Sequence, residues 1–254
     1  MKVFKIILII ISLIWTIMNF IAAVTSPTVV NLTSFIAIIP IITGLYSEID
    51  WLYINWNKIR AYLFLKTVSF TLKSSRYISQ EETIESLECH TRNCLKKNKY
   101  SIKEAFVQRT HEDLYFDVIN NGFCSKLTVN IHNDSTGTRL TIKMEYQSAY
   151  RDVSQFWKEF LLVRNDFFAQ FSILQDTKER YDVTINTTEA KEYSPFYRLT
   201  VKHVGKYKIN KFNLKFSDDK LRIETSMNKI YGSSENYQDI EKMIKEYIPI
   251  SRLT

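Results

Sequence analysis

Two charge-free apolar runs at the start of the chain constrain its fold more than any other feature. The first extends from Ile6 to Val24 behind Lys2 and Lys5, and the second spans 29–46. Nineteen residues at about 1.5 Å each match the roughly 30 Å hydrocarbon core of a bilayer. The first run ends in IAAVTS, a poor cleavage site, so a retained span is expected rather than a removed signal peptide. TSPT between the runs allows only a tight turn. The expectation over residues 1–50 is therefore a two-helix transmembrane hairpin. Basic residues flank the pair and the connecting turn has none, which places both termini in the cytoplasm. The chain is thus expected to be an integral membrane protein of the plasma or inner membrane.

Residues 51–76, WLYINWNKIRAYLFLKTVSFTLKSSR, change period part-way. Asn55, Lys58, Tyr62, Lys66, Ser69 and Lys73 recur at spacings of three and four, giving one polar stripe. From Lys66 onward KTVSFTLK alternates strictly, as a strand does. An interfacial juxtamembrane helix over 51–65 and a first strand from 66 follow. Trp51, Trp56, Lys58, Arg60 and Lys66 are its expected membrane-interface residues, with Trp51 and Trp56 at the level of an aromatic belt.

The net charge of +7 raises a nucleic-acid reading, but the charge is unevenly placed. Residues 58–76 carry five basic residues and no acidic one, whereas 77–254 supply only +2. That distribution favours a membrane surface over nucleic acid. Cys89, Cys94 and Cys124 are an odd number and form no disulfide framework of a secreted domain.

Residues 66–254 read as a cytosolic α+β domain. SQEE (79–82) is a capping box for a helix to about Asn98, with Leu87, Thr91, Cys94 and Leu95 on its buried stripe. A meander follows, with Asn121-Gly122 as a type I′ hairpin turn. VSQFWKEFLLVRNDFFAQFSIL (153–174) is a long helix with Phe156, Phe160, Val163, Phe167 and Phe171 inward. Strands are expected at YDVTIN, FYRLTVKHV, KFNLKFSDD and LRIETS, then a last helix from SENYQ to Pro249. The order is strand, helix, four strands, helix, four strands, helix, divisible into halves 66–175 and 176–254. The outline resembles TBP-like and helix-grip folds at the level of element order only.

No nucleotide, metalloprotease, serine-hydrolase or kinase motif is present. Cys89-His90 and Cys94 point about 140° apart on a helix, which argues against a metal site. No catalytic residue, metal ligand or cofactor is assigned. One constellation stands out: Arg198, Lys202, Lys211, Lys215 and Arg222 fall on polar positions of the second strand set. As sheet neighbours they form a basic face for an anionic small molecule or anionic lipid.

The resulting expectation is a membrane-anchored binding or signalling protein that recognises a ligand or partner at the inner membrane face. A sharper version has ligand binding drive hairpin assembly into homo-oligomers, resembling bacterial two-span defence effectors in architecture. The alternatives are a structural factor docking another membrane complex, and an enzyme acting on a lipid or nucleotide.

Overall fold

The computed structural model describes residues 10–19, 68–79, 81–134, 137–174, 177–186, 211–218 and 220–244, with single positions elsewhere. The chain divides into two compact units, one of residues 1–59 with 250–254 and one of Arg60–Pro249. In the first, residues 10–19 are helical, with Thr16 Oγ1 donating to the Ser12 carbonyl at 2.8 Å. Ile11, Trp15 and Met18 on this helix are exposed.

The expected transmembrane hairpin is corrected by this structure. Among the described residues, no helix is long and apolar enough to cross a membrane. The rest of both runs lies outside the described residues, apart from single helical positions such as Ile21, Ile41 and Gly44. The integral-membrane location and the orientation drawn from the hairpin fall with it.

The second unit is built on one large antiparallel sheet with few helices. Its strands are β1 (Val68–Ile78), β2 (Ser101–Ile102), β3 (Gln108–Arg109), β4 (Asp113–Asn120), β5 (Phe123–Asp134) and β6 (Gly137–Ser148). They continue with β7 (Arg180–Asn186), β8 (Asn213–Asp218), β9 (Leu221–Ser226) and β10 (Lys229–Ser234). Among the described residues of this unit the continuous helices are α1 (Ile84–Lys97), α2 (Val153–Phe168) and α3 (Tyr237–Lys242). The sheet order is β2-β4-β5-β6-β1-β7-β10-β9-β8, with β3 also on β4. β1 is thus the central strand, joining the β2–β6 meander to the β7–β10 group.

Alternation decides what each face holds. In β1, Val68, Phe70, Leu72 and Ile78 are buried on the helix side, while Ser69, Thr71, Lys73, Ser75 and Tyr77 point the other way. Register extends this across the sheet, with Leu72 opposite Met144 and Val183, and Leu127 opposite Met144. Against that apolar face α2 lays Phe156, Trp157, Phe160, Val163 and Phe167, spaced by three and four. Phe156 stacks on Tyr146 at 4.3 Å between centroids. α1 buries Leu87, Thr91, Cys94 and Leu95, the face its sequence period marks.

Local details differ from the sequence reading for identifiable reasons. α1 is capped by Thr83, whose hydroxyl accepts from Ser86 N–H at 3.3 Å, and not by Ser79. Ser79 is engaged elsewhere, its N–H donating to the Ser172 carbonyl at 2.9 Å. α2 stops at Phe168 because residues 172–174 run beside the end of β1, with Ile173 bridging Ile78. Asn121 and Gly122 adopt φ 49° and 80°, as the expected type I′ turn requires. Within the expected strand FYRLTVKHV, the described residues Tyr197, Thr200, Val201 and Val204 are helical, at helical spacing. β10, KIYGSS, is a strand where the sequence reading expected none.

β10 also carries the tightest packing constraint. Gly232 faces α3, and a Cβ added there comes within 2.8 Å of the Met243 Cε, with Met243 fully buried. Gly232→Ala is expected to destabilise the fold by about 1–3 kcal/mol through overpacking. In urea titrations, Gly232→Ala with Met243→Ala should lose less than the sum of the two single losses. Strict additivity would mean that the two sites do not compete for space.

Candidate functional site: a basic cleft on the open sheet face

The face turned away from the helices carries a continuous cross-strand row. Gln108, Tyr115, Thr128, Lys143, Lys73, Asp182, Ser233, Arg222 and Ser217 stand opposite one another from β3 to β8. At its centre Lys73 and Lys143 are directly opposed. Like charges in that position destabilise a sheet. Each has a carboxylate beside it: Lys73 Nζ is 4.0 Å from Asp182, and Lys143 pairs with Glu145.

Asp182 organises the neighbouring part of the face. It accepts from Arg180 Nε at 2.9 Å and from the Tyr231 hydroxyl at 2.7 Å. Arg180 Nη2 also donates to the Tyr231 oxygen at 3.0 Å, closing a triangle of side chains on β7 and β10. Burial, and then the hydrogen bond to Asp182, push the Tyr231 hydroxyl above its ordinary pKa. The Arg180 guanidinium is raised by its bonds to Tyr231 and Asp182, so it stays charged.

Beside this triangle opens a cleft of about 730 Å³, within the size range of ligand sites. Six cations line it: Lys73, Arg139, Lys178, Arg180, Lys220 and Arg222. Ser75, Ser217, Ser233 and Tyr77 add hydroxyls, and Glu179 and Glu235 are its acidic lining. Lys178 pairs with Glu235 at 2.8 Å. That hydrogen bond holds the Glu235 carboxyl below its ordinary pKa, with Lys220 and Arg222 adding to the effect. Among the described residues, Arg139, Lys220 and Arg222 form no ion pair, and all three side chains are exposed.

Glu179 belongs to the interior. Its carboxylate accepts from Ser74 Oγ at 2.5 Å, Arg164 Nε at 2.6 Å and Arg76 Nε at 2.7 Å. A second Arg164 nitrogen, Nη2, completes a bidentate pair. The Arg164 guanidinium lies over the Phe168 and Tyr181 rings at 5.3 and 5.5 Å. Glu179 and Arg180 are therefore consecutive residues with opposite assignments, one anchoring α2 to β1 and the next facing the cleft.

The five sequence-predicted basic residues are only partly assembled. Arg222 lies in the cleft. Lys215 is on the same face one strand further, 3.1 Å from Glu224, and lines an adjoining hollow with Arg222 and Arg180. Lys211 is exposed and precedes β8, while Arg198 and Lys202 lie outside the described residues. The sequence reading missed Lys73, Arg139, Lys178, Arg180 and Lys220 as partners of Arg222. Of the interface set, Trp56 is helical and exposed, and Trp51, Lys58, Arg60 and Lys66 lie outside the described residues.

The thiols have unlike surroundings. Cys94 is buried, its Sγ 3.2 Å from the Val163 carbonyl, and burial pushes the thiol up to about 12, whereas Cys89 and Cys124 are exposed. His90 Nδ1 lies 3.0 Å from Gln170 Oε1 and is used in packing α1 to the end of α2. Among the described residues no group of His, Cys, Asp and Glu could hold a metal ion.

No protein-family model matches this chain, and no curated protein matches it at a significant level.

Proposed function

We propose that the chain is a binding module that receives a phosphate-bearing ligand in the open-face cleft. The observation that carries this reading is the convergence of six cations from four strands and two connecting segments, three of them without a carboxylate at ion-pair distance among the described residues. Arginine forks and serine hydroxyls suit phosphate oxygens, which accept several hydrogen bonds at once. The cleft's cations outnumber its carboxylates, and a bound anion relieves the remaining repulsion.

The test is binding of pyrophosphate to the full chain by calorimetry. Binding is expected to weaken steeply with salt, because the cations are exposed. Lys220→Glu with Arg222→Glu is expected to cut affinity at least about ten-fold, since each replaces an attraction with a repulsion. Both side chains are on the surface, so the variant should unfold like the parent. Equal affinity in the variant removes the cleft from the reading, and no binding by the parent removes the reading itself.

A further inference from the structure

The open face holds a second feature on the same row as the cleft. Phe106 is 57% exposed and Tyr115 38% exposed. Together they line a hollow of about 350 Å³ with Gln108, Thr128 and Lys143. Tyr115 is reached from Lys143 through Thr128, and Lys143 stands opposite Lys73 of the cleft. An aromatic shelf, a central lysine pair and a basic cleft thus follow one another across a single sheet face.

Resting on the phosphate-binding reading, we infer that the ligand is a short single-stranded nucleic acid laid along this row. Unstacked bases present π-faces that aromatic side chains take up with little regard for sequence, while phosphates track cationic grooves. Tyr115 on β4 and Lys73 on β1 are three strands apart in the sheet order, or about 14 Å at the usual strand spacing. Arg222 on β9 is three strands further on, or about 29 Å from Tyr115. A mononucleotide cannot touch both ends of such a row. A chain of several nucleotides can, with bases on Phe106 and Tyr115 and phosphates at the Lys143–Lys73 pair and in the cleft. A duplex keeps its bases stacked inside and offers the shelf nothing. Asp117 and Glu145 by the shelf offset Lys126 and Lys143, so no excess positive charge draws phosphates to the rings there.

Fluorescence anisotropy of the full chain with labelled oligo-dT tests this. Lengths of about four, eight and twelve nucleotides bracket the site sizes of single-strand binders, with an eight-base-pair hairpin stem as the duplex. Affinity is expected to rise from four to eight nucleotides and to exceed that for the duplex at least about ten-fold. Phe106→Ala with Tyr115→Ala is expected to weaken oligonucleotide binding about ten-fold or more while leaving pyrophosphate binding as in the parent. Lys73→Gln with Lys143→Gln should weaken it and reduce its salt dependence. Equal binding of duplex and single strand, or an aromatic double variant that binds oligo-dT like the parent, overturns the inference. Pyrophosphate binding without oligonucleotide binding overturns it while leaving the phosphate reading in place. Loss of both ligands overturns both.

Discussion

Replacing Glu179 with alanine is expected to lower the free energy of unfolding by about 3–5 kcal/mol, the usual loss when one partner of a buried ion pair is removed. Glu179 is 8% exposed and Arg164 7% exposed, so neither charge has water to fall back on. The Glu179 carboxylate is the shared acceptor for Arg164, Arg76 and the Ser74 hydroxyl. Its removal leaves two guanidinium groups close together beside the Phe168 ring with no carboxylate between them. Arg164→Met should cost less, because Arg76 still partners Glu179 and methionine fills much of the vacated volume. Urea unfolding of the two single variants orders them. A loss below about 1 kcal/mol for Glu179→Ala would mean that the pair is hydrated like a surface ion pair. Glu179 also fixes the chain immediately before Arg180. Glu179→Ala should therefore weaken pyrophosphate binding in conditions where the variant is still folded.

Much of the sheet was legible because alternation is a local property. The inward positions of β5 and β6 followed from period alone, and register places Leu127, Val129 and Ile131 opposite Met144, Ile142 and Leu140. The Asn121-Gly122 turn was legible because few residue pairs tolerate two consecutive positive φ angles. β10 was not, since Gly232, Ser233 and Ser234 give no apolar signal, yet all three are buried. Met243 supplies the bulk that Gly232 lacks. The stretch at 197–204 misled in the opposite sense: Thr200, Val201 and Val204 are β-branched, and tertiary context overrides that preference.

The candidate site divides along the same line. Lys73, Arg139 and Arg222 all sit on polar positions of their strands, which sequence can assign. What sequence could not supply is that β1 lies between β6 and β7, so that residues 66 positions apart in Lys73 and Arg139 border one cleft. Lys73 instead counted toward a membrane-proximal collar, a grouping by chain proximity that strand pairing dissolves. The hairpin expectation failed for a related reason. Hydropathy reports that a run is apolar, whereas among the described residues no helix is both long and apolar enough to cross a membrane.

Phe160→Ala is expected to be as damaging as loss of Glu179, at about 3–5 kcal/mol, through a different mechanism. Phe160 is fully buried in the middle of α2, with its ring 6.1 Å from that of Trp157. α2 crosses the central strands β1 and β6, whose Leu72 and Met144 are also fully buried. A rigid sheet on one side and a helix held by Arg164 on the other leave little room to collapse into the cavity. The loss should therefore lie toward the upper end of the range for large-to-small substitutions. Phe160→Leu retains most of the volume and should lose much less. Leu162, two residues on and 60% exposed, provides the internal control. Leu162→Ala should change stability by no more than about 0.5 kcal/mol, as for an exposed residue away from special contacts. Urea midpoints with unchanged m-values would report these differences directly. Comparable losses for Phe160→Ala and Leu162→Ala would show that α2 buries a different face from the one its spacing defines. In that case the contacts of α2 with Glu179 and the back of the cleft would fall together.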